Sequence, residues 1–247
     1  WVLFVLFGVF VEATRNLLEV ATKSGVKRFV TCSTVGVQGH ISEPPAEETY
    51  RYAPGDHYQR TKMEGEKIAL QYFSRGLPGV VVRPAGIYGP GDTRFLKLFR
   101  PISNGTFIMI GSGKTLYHFT YIDDLIEGFL LAAKKEEAIG EIFTIAGDEY
   151  VSLRKLVDMI ADSLGKTRPR LRVPFLPVYL AAHACEKLCR PLRIPPPIFP
   201  RRVDFFRKDR AFKIDKAKKV LGYQPRIGLK EGLKKTAEWY VQQGYLK

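Results

Sequence analysis

Three side chains of this 247-residue chain could together move a proton on and off a substrate oxygen. Tyr58 and Lys62 lie four positions apart in the run DHYQRTKMEGEK, which is typical of a helix, so both project from one helix face. Thr34 ends the apolar run 27–34 (KRFVTCST), which predicts a buried strand. A free phenol ionises near pH ~10, but a fixed cation within a few ångströms lowers that pKa. These residue types therefore indicate acid–base chemistry at a substrate hydroxyl or carbonyl group.

The elements that must position these side chains alternate between strand and helix. The sequence predicts strands at 27–33, 79–83, 107–110 and 141–146, and helices at 11–23, 58–75, 93–103 and 123–134. Such alternation implies right-handed crossovers and a mostly parallel sheet. Asp123 or Asp124 is expected to cap a helix that begins at Leu125.

The chain beyond residue 150 lacks this alternation of strands and helices. A predicted helix at 152–164 is followed by an apolar stretch broken by prolines, 174–200, and then by helices near 215–221 and 228–242. The glycine-rich run 110–115 is not a phosphate-binding loop, because Ile108 stands where such a loop needs glycine, and the run 89–94 lacks the GxGxxG spacing. Both runs are therefore interpreted as turns.

The positive charge of the protein is confined to the C-terminal part. Residues 151–247 hold 23 Lys and Arg against 8 Asp and Glu, whereas the first 150 residues hold 16 against 17, so the whole excess of +14 lies there. A solvated basic face accounts for it; an anionic substrate or an acidic membrane surface are alternatives, of which membrane contact is not favoured. No nucleic-acid-binding motif is evident, so we expect no such partner. The sequence leaves open whether the protein forms a homodimer.

Cysteine usage favours a reducing, cytoplasmic location. Cys32, Cys185 and Cys189 are too few for a disulfide framework. His183 forms an H-x-C-x3-C pattern with the last two, but no fourth zinc ligand is evident and the surroundings are apolar. We therefore expect buried structural thiols and no metal.

Further motifs follow Tyr58 and Lys62 in a recognisable order. They are CSTVGVQG (32–39), VVVRPAGIYGPGD (80–92), YIDDL (121–125), FTIAG (143–147) and LGYQP (221–225). Over roughly residues 11–243 the chain resembles the extended branch of the short-chain dehydrogenase/reductase superfamily, which includes nucleotide-sugar epimerases and sterol or flavonoid reductases. The resemblance implies a Rossmann-like doubly wound parallel sheet in residues 1–147, with 88–117 contributing to the substrate pocket. It also implies a mostly helical substrate-binding part at 148–247.

The resemblance also implies a role for each candidate site residue. Tyr58 would be the general acid/base, Lys62 would bond the nicotinamide ribose of NAD or NADP, and Thr34 would bond the substrate oxygen, with Ser33 as the fallback. Backbone at Pro84, Ala85 and Ile87 would meet the carboxamide of the cofactor. The substrate pocket would be lined by Gln38, Tyr88, Arg94, His118 and Arg207. Arg83 is expected to form a buried ion pair instead.

The substrate class stays open between two alternatives. The tail 201–225 resembles proteins near 3β-hydroxysteroid dehydrogenases and dihydroflavonol reductases, and the apolar stretch 174–200 suits their apolar alcohols or ketones. A nucleotide-diphospho-sugar would instead suit the basic tail, and epimerases or dehydratases share the same motifs. We expect a dehydrogenase acting on a secondary alcohol or ketone.

The chain departs from the family at its N-terminus. Extended-branch enzymes open with a strand, a GxxGxxG turn that holds the pyrophosphate, and a helix, whereas this chain begins WVLFVLFGVF and has Phe10 where Asn is usual. The pattern indicates an N-terminally truncated family member. We therefore expect a sheet without its first strands, residues 1–11 covering the exposed edge, and weak NAD(P) binding. The alternative from another class is an inactive fragment or a binding module without cofactor.

Overall fold

The alternation of strand and helix is present in the computed structural model, which describes residues 2–191 and 194–246. The strands are β1 (Phe29–Cys32), β2 (Gly79–Pro84), β3 (Gly86–Tyr88), β4 (Met109–Ile110), β5 (Leu116–Tyr121), β6 (Ile142–Ile145), β7 (Tyr150–Ser152) and β8 (Arg172–Val173). The helices are α1 (Val2–Phe7), α2 (Ala13–Lys23), α3 (His57–Ser74), α4 (Leu96–Ser103), α5 (Ile122–Lys134), α6 (Leu153–Ser163), α7 (Phe175–Cys189), α8 (Pro200–Val203) and α9 (Leu229–Gln242). Each predicted strand and helix is thus found within a few residues of its expected bounds, with the helix near 215–221 present as a π-helical turn at Ala217–Leu221.

The chain divides into two compact units. The first comprises Trp1–Tyr88, His118–Glu149 and Ala211–Leu229; the second comprises Gly89–Tyr117, Tyr150–Arg210 and Lys230–Lys247. The chain returns to the first unit at 211–229, a segment that the sequence groups with the C-terminal part. The assignment of the second unit to substrate binding stays a prediction.

A parallel sheet forms the centre of the first unit. Its strands follow the order β1-β2-β6, and every residue of β2 is buried. Side chains alternate across a strand, so Val81 packs with α2 and α3 on one face, whereas Val80 and Val82 pack with α5 on the other. The predicted parallel α/β architecture is therefore confirmed, and it places the carboxyl ends of β1 and β2 side by side.

The start of α5 differs from the prediction. The helix begins at Ile122, and Asp124 lies inside its first turn. The Asp124 carboxylate accepts hydrogen bonds from the backbone N–H groups of Arg226 (2.9 Å) and Ile227 (3.1 Å). The capping prediction for Asp123 or Asp124 is wrong because Asp124 holds a distant segment of the first unit instead.

The apolar N-terminal stretch is helical and packs along α3. A π-helical turn at Gly8–Glu12 joins α1 to α2, and α1 and this turn both contact α3. Val11 is buried, but Phe4 is 81% exposed. The prediction that residues 1–11 cover the sheet edge is therefore wrong for the described part of this stretch, and Trp1 lies outside the described residues.

The second unit has its own small parallel sheet and helices. β4 pairs with β8 (Met109 with Arg172), and the two glycine-rich runs are turns, as predicted, with left-handed backbone at Gly91 and Gly111. The Tyr240 hydroxyl on α9 donates to the carbonyl of Asp92 at 2.6 Å. Among the residues that the structure describes, no helix is long and apolar enough to cross a membrane.

Gly65 sets how closely the N-terminal stretch approaches α3. A Cβ at this position would lie 2.3 Å from the carbonyl oxygen of Phe10, far inside contact distance. We expect Gly65→Ala to destabilise the protein by roughly 1–3 kcal/mol, because the backbone of Phe10 must move away. Urea unfolding followed by circular dichroism measures the change.

Gly8→Ala is the matched control for this prediction. Gly8 lies in the same helical stretch, and a Cβ there would meet nothing within 4 Å. The substitution should be neutral or stabilise the protein by about 0.5–1 kcal/mol, because alanine loses less conformational entropy in a helix. Equal stability of the two variants would contradict the close packing at Gly65.

Candidate active site

The first turn of α3 is fixed by a helix cap. Asp56 precedes the helix, and its carboxylate accepts the backbone N–H of Gln59 at 2.8 Å. Tyr58 therefore occupies the first turn, where its side chain is 40% exposed. Lys62 follows one turn later on the same face and is half-buried. The phenol is thus accessible, while the ammonium is partly withdrawn from solvent.

The carboxyl end of β1 meets this face of α3. The Lys62 ammonium donates a hydrogen bond to the carbonyl oxygen of Cys32, the last residue of β1. The chain then turns through a 3-10 turn at Val35–Gln38, where a Cβ on Gly36 would lie 3.2 Å from the Gln59 side chain. Residues 32–36 therefore lie against the turn of α3 that carries Tyr58 and Lys62.

The two candidate hydroxyls at this strand end have different partners. Ser33 is 4% exposed, and its hydroxyl donates to the carboxylate of Glu66. Thr34 is half-buried, and its oxygen accepts the backbone N–H of Gly36 at 3.1 Å. Because this bond uses an oxygen lone pair, the Thr34 O–H stays available to donate to a substrate oxygen. The geometry favours Thr34 over Ser33.

Phe10 packs over both functional side chains of α3. Its ring lies edge-on to that of Tyr58 at 5.5 Å, and the Lys62 ammonium lies 4.9 Å from its centroid. Burial lowers the pKa of Lys62 below its ordinary value, although the charges of Cys32 and Glu66 oppose this shift. The aromatic face thus replaces water beside the ammonium with a favourable cation–π contact.

A buried ion pair lies beneath these residues. Arg83 donates to both carboxylate oxygens of Glu66, at 2.6 and 3.0 Å, and both side chains are almost fully buried. Tyr52 donates to the same carboxylate at 2.6 Å, and Ser33 completes the set of donors. Arg83 also donates to the carbonyl of Glu48 at 2.8 Å. The predicted buried ion pair of Arg83 is confirmed.

The pKa values of Arg83 and Tyr52 are shifted in the directions expected for a buried charge cluster. Burial alone would lower the pKa of Arg83, but its hydrogen bonds and the negative charge of Glu66 raise it overall. Burial, helped by the hydrogen bond to Glu66, raises the pKa of Tyr52 to about 12. Arg83 therefore stays charged and Tyr52 stays neutral across the physiological range.

Glu66 is the main residue of the site that the sequence reading missed. It lies four residues after Lys62 and eight after Tyr58, so the three share one face of α3. The spacing of four residues on a predicted helix could have identified Glu66 as a member of the site. Glu66 connects the end of β1, through Ser33, to the end of β2, through Arg83.

The backbone after β2 lies one strand away from Thr34. The amide N–H of Ser33 donates to the carbonyl of Val82 at 2.8 Å, which joins the two strand ends. Pro84 and Ala85 are buried and Ile87 is half-buried. These residues therefore lie at the strand edge where the resemblance expects the cofactor carboxamide, and that role stays a prediction.

Three predicted substrate residues of the first unit have buried side chains. Gln38 is fully buried, and its amide donates to the carbonyl of Glu47 at 2.7 Å. Tyr88 is 2% exposed and packs edge-on against aromatic neighbours in β5. His118 is 4% exposed, its Nε2 lies 2.8 Å from the carbonyl oxygen of Gly147, and burial lowers its pKa. Tyr88 nevertheless lines a cavity of about 180 Å³ in the first unit, together with Tyr121 and Ile227. Substrate contact by these three side chains stays a prediction.

The other two predicted substrate residues belong to the second unit. Arg94 is exposed and paired with Asp92 at 2.8 Å. Arg207 pairs with Asp204 at 2.7 Å, and its guanidinium lies 4.7 Å from the ring centroid of Tyr179. Arg207 also lines a cavity of about 290 Å³ together with Gly111, Ser112, Lys114, Thr115, Phe175, Phe206 and Asp209. The cavity thus combines cationic and aromatic walls.

The thiols of the second unit are not buried as expected. Cys185 and Cys189 are half-buried, and their sulfur atoms lie 4.0 Å apart on successive turns of α7. His183 instead packs against Tyr179, with ring centroids 4.6 Å apart. No group of three metal-ligating side chains occurs within residues 2–191 and 194–246.

The residues of the first unit fit one end of a nicotinamide dinucleotide. Lys62 uses one of its three N–H donors on Cys32, which leaves donors for ribose hydroxyls. Gly86 is exposed between Ala85 and Ile87, and a Cβ there would lie 2.7 Å from Phe119, so only glycine lets the backbone pass at this point. The chemistry of these residues is compatible with the nicotinamide riboside, and its binding by Tyr58, Lys62 and the backbone of residues 84–87 stays a prediction.

Residues 6–146 match the sequence profile of the NAD dependent epimerase/dehydratase family. The match covers more than half of the chain, and the protein therefore belongs to this family. The chain is also 29% identical to the 3beta-hydroxysteroid-dehydrogenase/decarboxylase isoform 1 of Arabidopsis thaliana, over 94% of this chain and 57% of the plant protein. Further relatives from yeasts and mycobacteria carry the names of sterol or hydroxysteroid dehydrogenases.

Solved structures confirm the Rossmann-like fold. The protein gox2253 superposes with a TM-score of 0.82 at 28% identity, covering 99% of this chain and 75% of that one. The UDP-glucuronic acid 4-epimerase of Bacillus cereus, in complex with UDP-glucuronic acid and NAD, superposes with a TM-score of 0.72 at 25% identity, covering 95% and 68%. The chain spans 57% and 44% of the lengths of two Arabidopsis relatives.

The buried ion pair generates a stability prediction. Glu66→Gln should destabilise the protein by about 3–5 kcal/mol, because it leaves the Arg83 guanidinium buried without a counter-charge. Glu64→Gln on the same helix is the control: Glu64 is 44% exposed and lies 3.7 Å from Lys67, so its loss should cost less than about 1 kcal/mol. Denaturant unfolding measures both.

A double variant separates the ion pair from simple loss of packing. Replacing both charges, as Glu66→Leu with Arg83→Met, should recover part of the stability lost in Glu66→Leu, because no unpaired charge stays buried. A stability loss in the double variant equal to the sum of the losses in Glu66→Leu and Arg83→Met would contradict the assigned coupling.

Proposed function

We propose that the protein is an NAD(P)-dependent oxidoreductase that transfers a hydride between the nicotinamide and a secondary alcohol or ketone. One observation carries this proposal. The end of β1, with Thr34, lies against the face of α3 that holds Tyr58 and Lys62, and a buried ion pair fixes both elements. Family membership and the names of the sterol dehydrogenase relatives support it. We also propose a cytoplasmic location, supported by free thiols at Cys32, Cys185 and Cys189.

The bound cofactor supplies or accepts the hydride, and the side chains of this protein handle the proton. Tyr58 donates its phenolic proton to the carbonyl oxygen during reduction and takes it back during oxidation. The positive charge of Lys62 stabilises the phenolate that exists between these steps. Thr34 donates a hydrogen bond to the same substrate oxygen and holds it in line with the phenol. Lys62 also orients the ribose that carries the nicotinamide.

We propose an apolar substrate of the sterol or flavonoid type. The helix α7 opens the apolar stretch 174–200, and Phe175 and Phe206 contribute aromatic walls to the cavity of the second unit. The same cavity also has polar walls, so the apolar substrate rests on the aromatic side chains, on the apolar stretch 174–200 and on the names of the sterol dehydrogenase relatives.

A nucleotide-diphospho-sugar substrate is the second candidate, and it rests on a separate observation. Arg207 and Lys114 line that same cavity, and a guanidinium can bind phosphate oxygens in pairs. The Bacillus cereus neighbour binds UDP-glucuronic acid. In this case the enzyme would be an epimerase or dehydratase.

Site-directed variants of the natural protein test the acid–base assignment. Tyr58→Phe should lower kcat by roughly 100- to 10,000-fold while NAD(P) still binds, because only the proton donor is lost. Lys62→Met should weaken NAD(P) binding as well as the rate. Tyr72→Phe, on the same helix, is the control and should leave kcat unchanged. Full activity of Tyr58→Phe would overturn the proposal.

The substrate classes are separated by following NADH absorbance. With hydrophobic secondary alcohols the dehydrogenase should produce net NADH, and Arg207→Leu should have little effect on KM. With UDP-sugars an epimerase regenerates its cofactor within each cycle, so product would form without net NADH. Arg207→Leu should then raise KM about tenfold or more, because a charge-assisted phosphate contact is lost. Product formation without net NADH, together with a raised KM in Arg207→Leu, would indicate a nucleotide-diphospho-sugar substrate in place of the proposed apolar one.

A further inference from the structure

The helix α7 presents an apolar face to solvent. Leu176, Leu180 and Leu188 are 63%, 59% and 71% exposed. Their spacing of four and eight residues places them along one side of the helix, with Ala184 between them. Leu171 before the helix and Ile194 after it are also exposed, at 62% and 54%. We call Leu171, Leu176, Leu180, Leu188 and Ile194 the leucine face.

An aromatic row lies beside the leucine face on α7. Phe175 stacks on Tyr179 with ring centroids 5.3 Å apart, and Tyr179 packs edge-on against His183 at 4.6 Å. The guanidinium of Arg207 lies over this aromatic row, 4.7 Å from Tyr179. Arg207 therefore links the aromatic row to the second unit, and Ala182 on the same helix is fully buried. The leucines take no part in that packing.

The segment around the leucine face is strongly basic. Residues 165–203 contain one acidic residue, Glu186, against the nine basic residues Lys166, Arg168, Arg170, Arg172, Lys187, Arg190, Arg193, Arg201 and Arg202. On α7 itself Lys187 is exposed and falls within the angular range of the leucines, and Arg190 follows at the end of the helix. Long basic side chains at such positions extend their charged ends beyond an apolar surface.

We propose that the leucine face docks on an anionic lipid bilayer. An apolar helix face lined by Lys and Arg is the pattern of helices that lie in the headgroup region, where leucines enter the acyl boundary and cations meet lipid phosphates. The 15 residues of α7 span about 22 Å, short of the ~30 Å hydrocarbon core, so the helix lies along the surface. A second copy of the chain fits less well, because the same excess of positive charge would oppose itself.

Vesicle co-sedimentation with the natural protein tests this docking. Binding is expected to vesicles of equal parts phosphatidylcholine and phosphatidylserine, to weaken as salt rises, and to be much weaker on phosphatidylcholine alone. The triple variant Leu176→Ser/Leu180→Ser/Leu188→Ser should lose about tenfold or more in vesicle affinity. Lys187→Gln with Arg190→Gln should weaken binding to the anionic vesicles only.

Leu17→Ser with Val20→Ser is the matched control. These α2 residues are 60% and 61% exposed, and their replacement should leave vesicle affinity unchanged. Thermal unfolding of every variant should match the parent, since the replaced side chains are exposed.

Three results would overturn the proposal. The first is no binding of the parent to anionic vesicles. The second is equal loss of binding in the control variant. The third is a parent protein that does not bind vesicles but associates with itself or with an acidic protein, in a contact that the triple variant abolishes.

Discussion

The buried ion pair between Glu66 and Arg83 is the interaction on which the geometry of the site depends. It joins three parts of the chain that carry the candidate chemistry: the helix of Tyr58 and Lys62, the end of β1 through Ser33, and the end of β2 at Arg83 itself. A charge pair removed from water is stable only when its hydrogen bonds are made, and Tyr52 supplies a further donor. Small displacements of any of these elements would leave a charge unsatisfied.

Much of the fold follows from local patterns. The valines of β2 are buried on both faces, and a short run of β-branched residues between turn signals predicts such a strand. The same holds for the face of α3, where spacing of four residues aligns the functional side chains. These features depend on neighbours in sequence, so the sequence alone predicts them.

The features that could not be predicted depend on partners far along the chain. Asp124 resembles a helix cap, but it binds backbone groups 102 and 103 residues away. Arg83 was expected to be paired, yet its partner Glu66 lies 17 residues earlier and is fixed only by tertiary packing. Gln38 and His118 occupy positions that suggest substrate contact, and only the structure shows that their side chains are buried beside backbone carbonyl groups. Local pattern carries no information on which side of a packed layer such a residue lies.

The bond between the Thr34 oxygen and the amide of Gly36 makes that hydroxyl directional. One lone pair is committed to the backbone, so under the proposed mechanism the group would serve the substrate as a donor. A ketone oxygen and an alkoxide oxygen both accept such a bond, whereas the phenol of Tyr58 must change from donor to acceptor as the proton moves. Under that mechanism the contact to Thr34 would keep its direction while the contact to Tyr58 reverses, and the substrate oxygen could stay in place while its bonding changes.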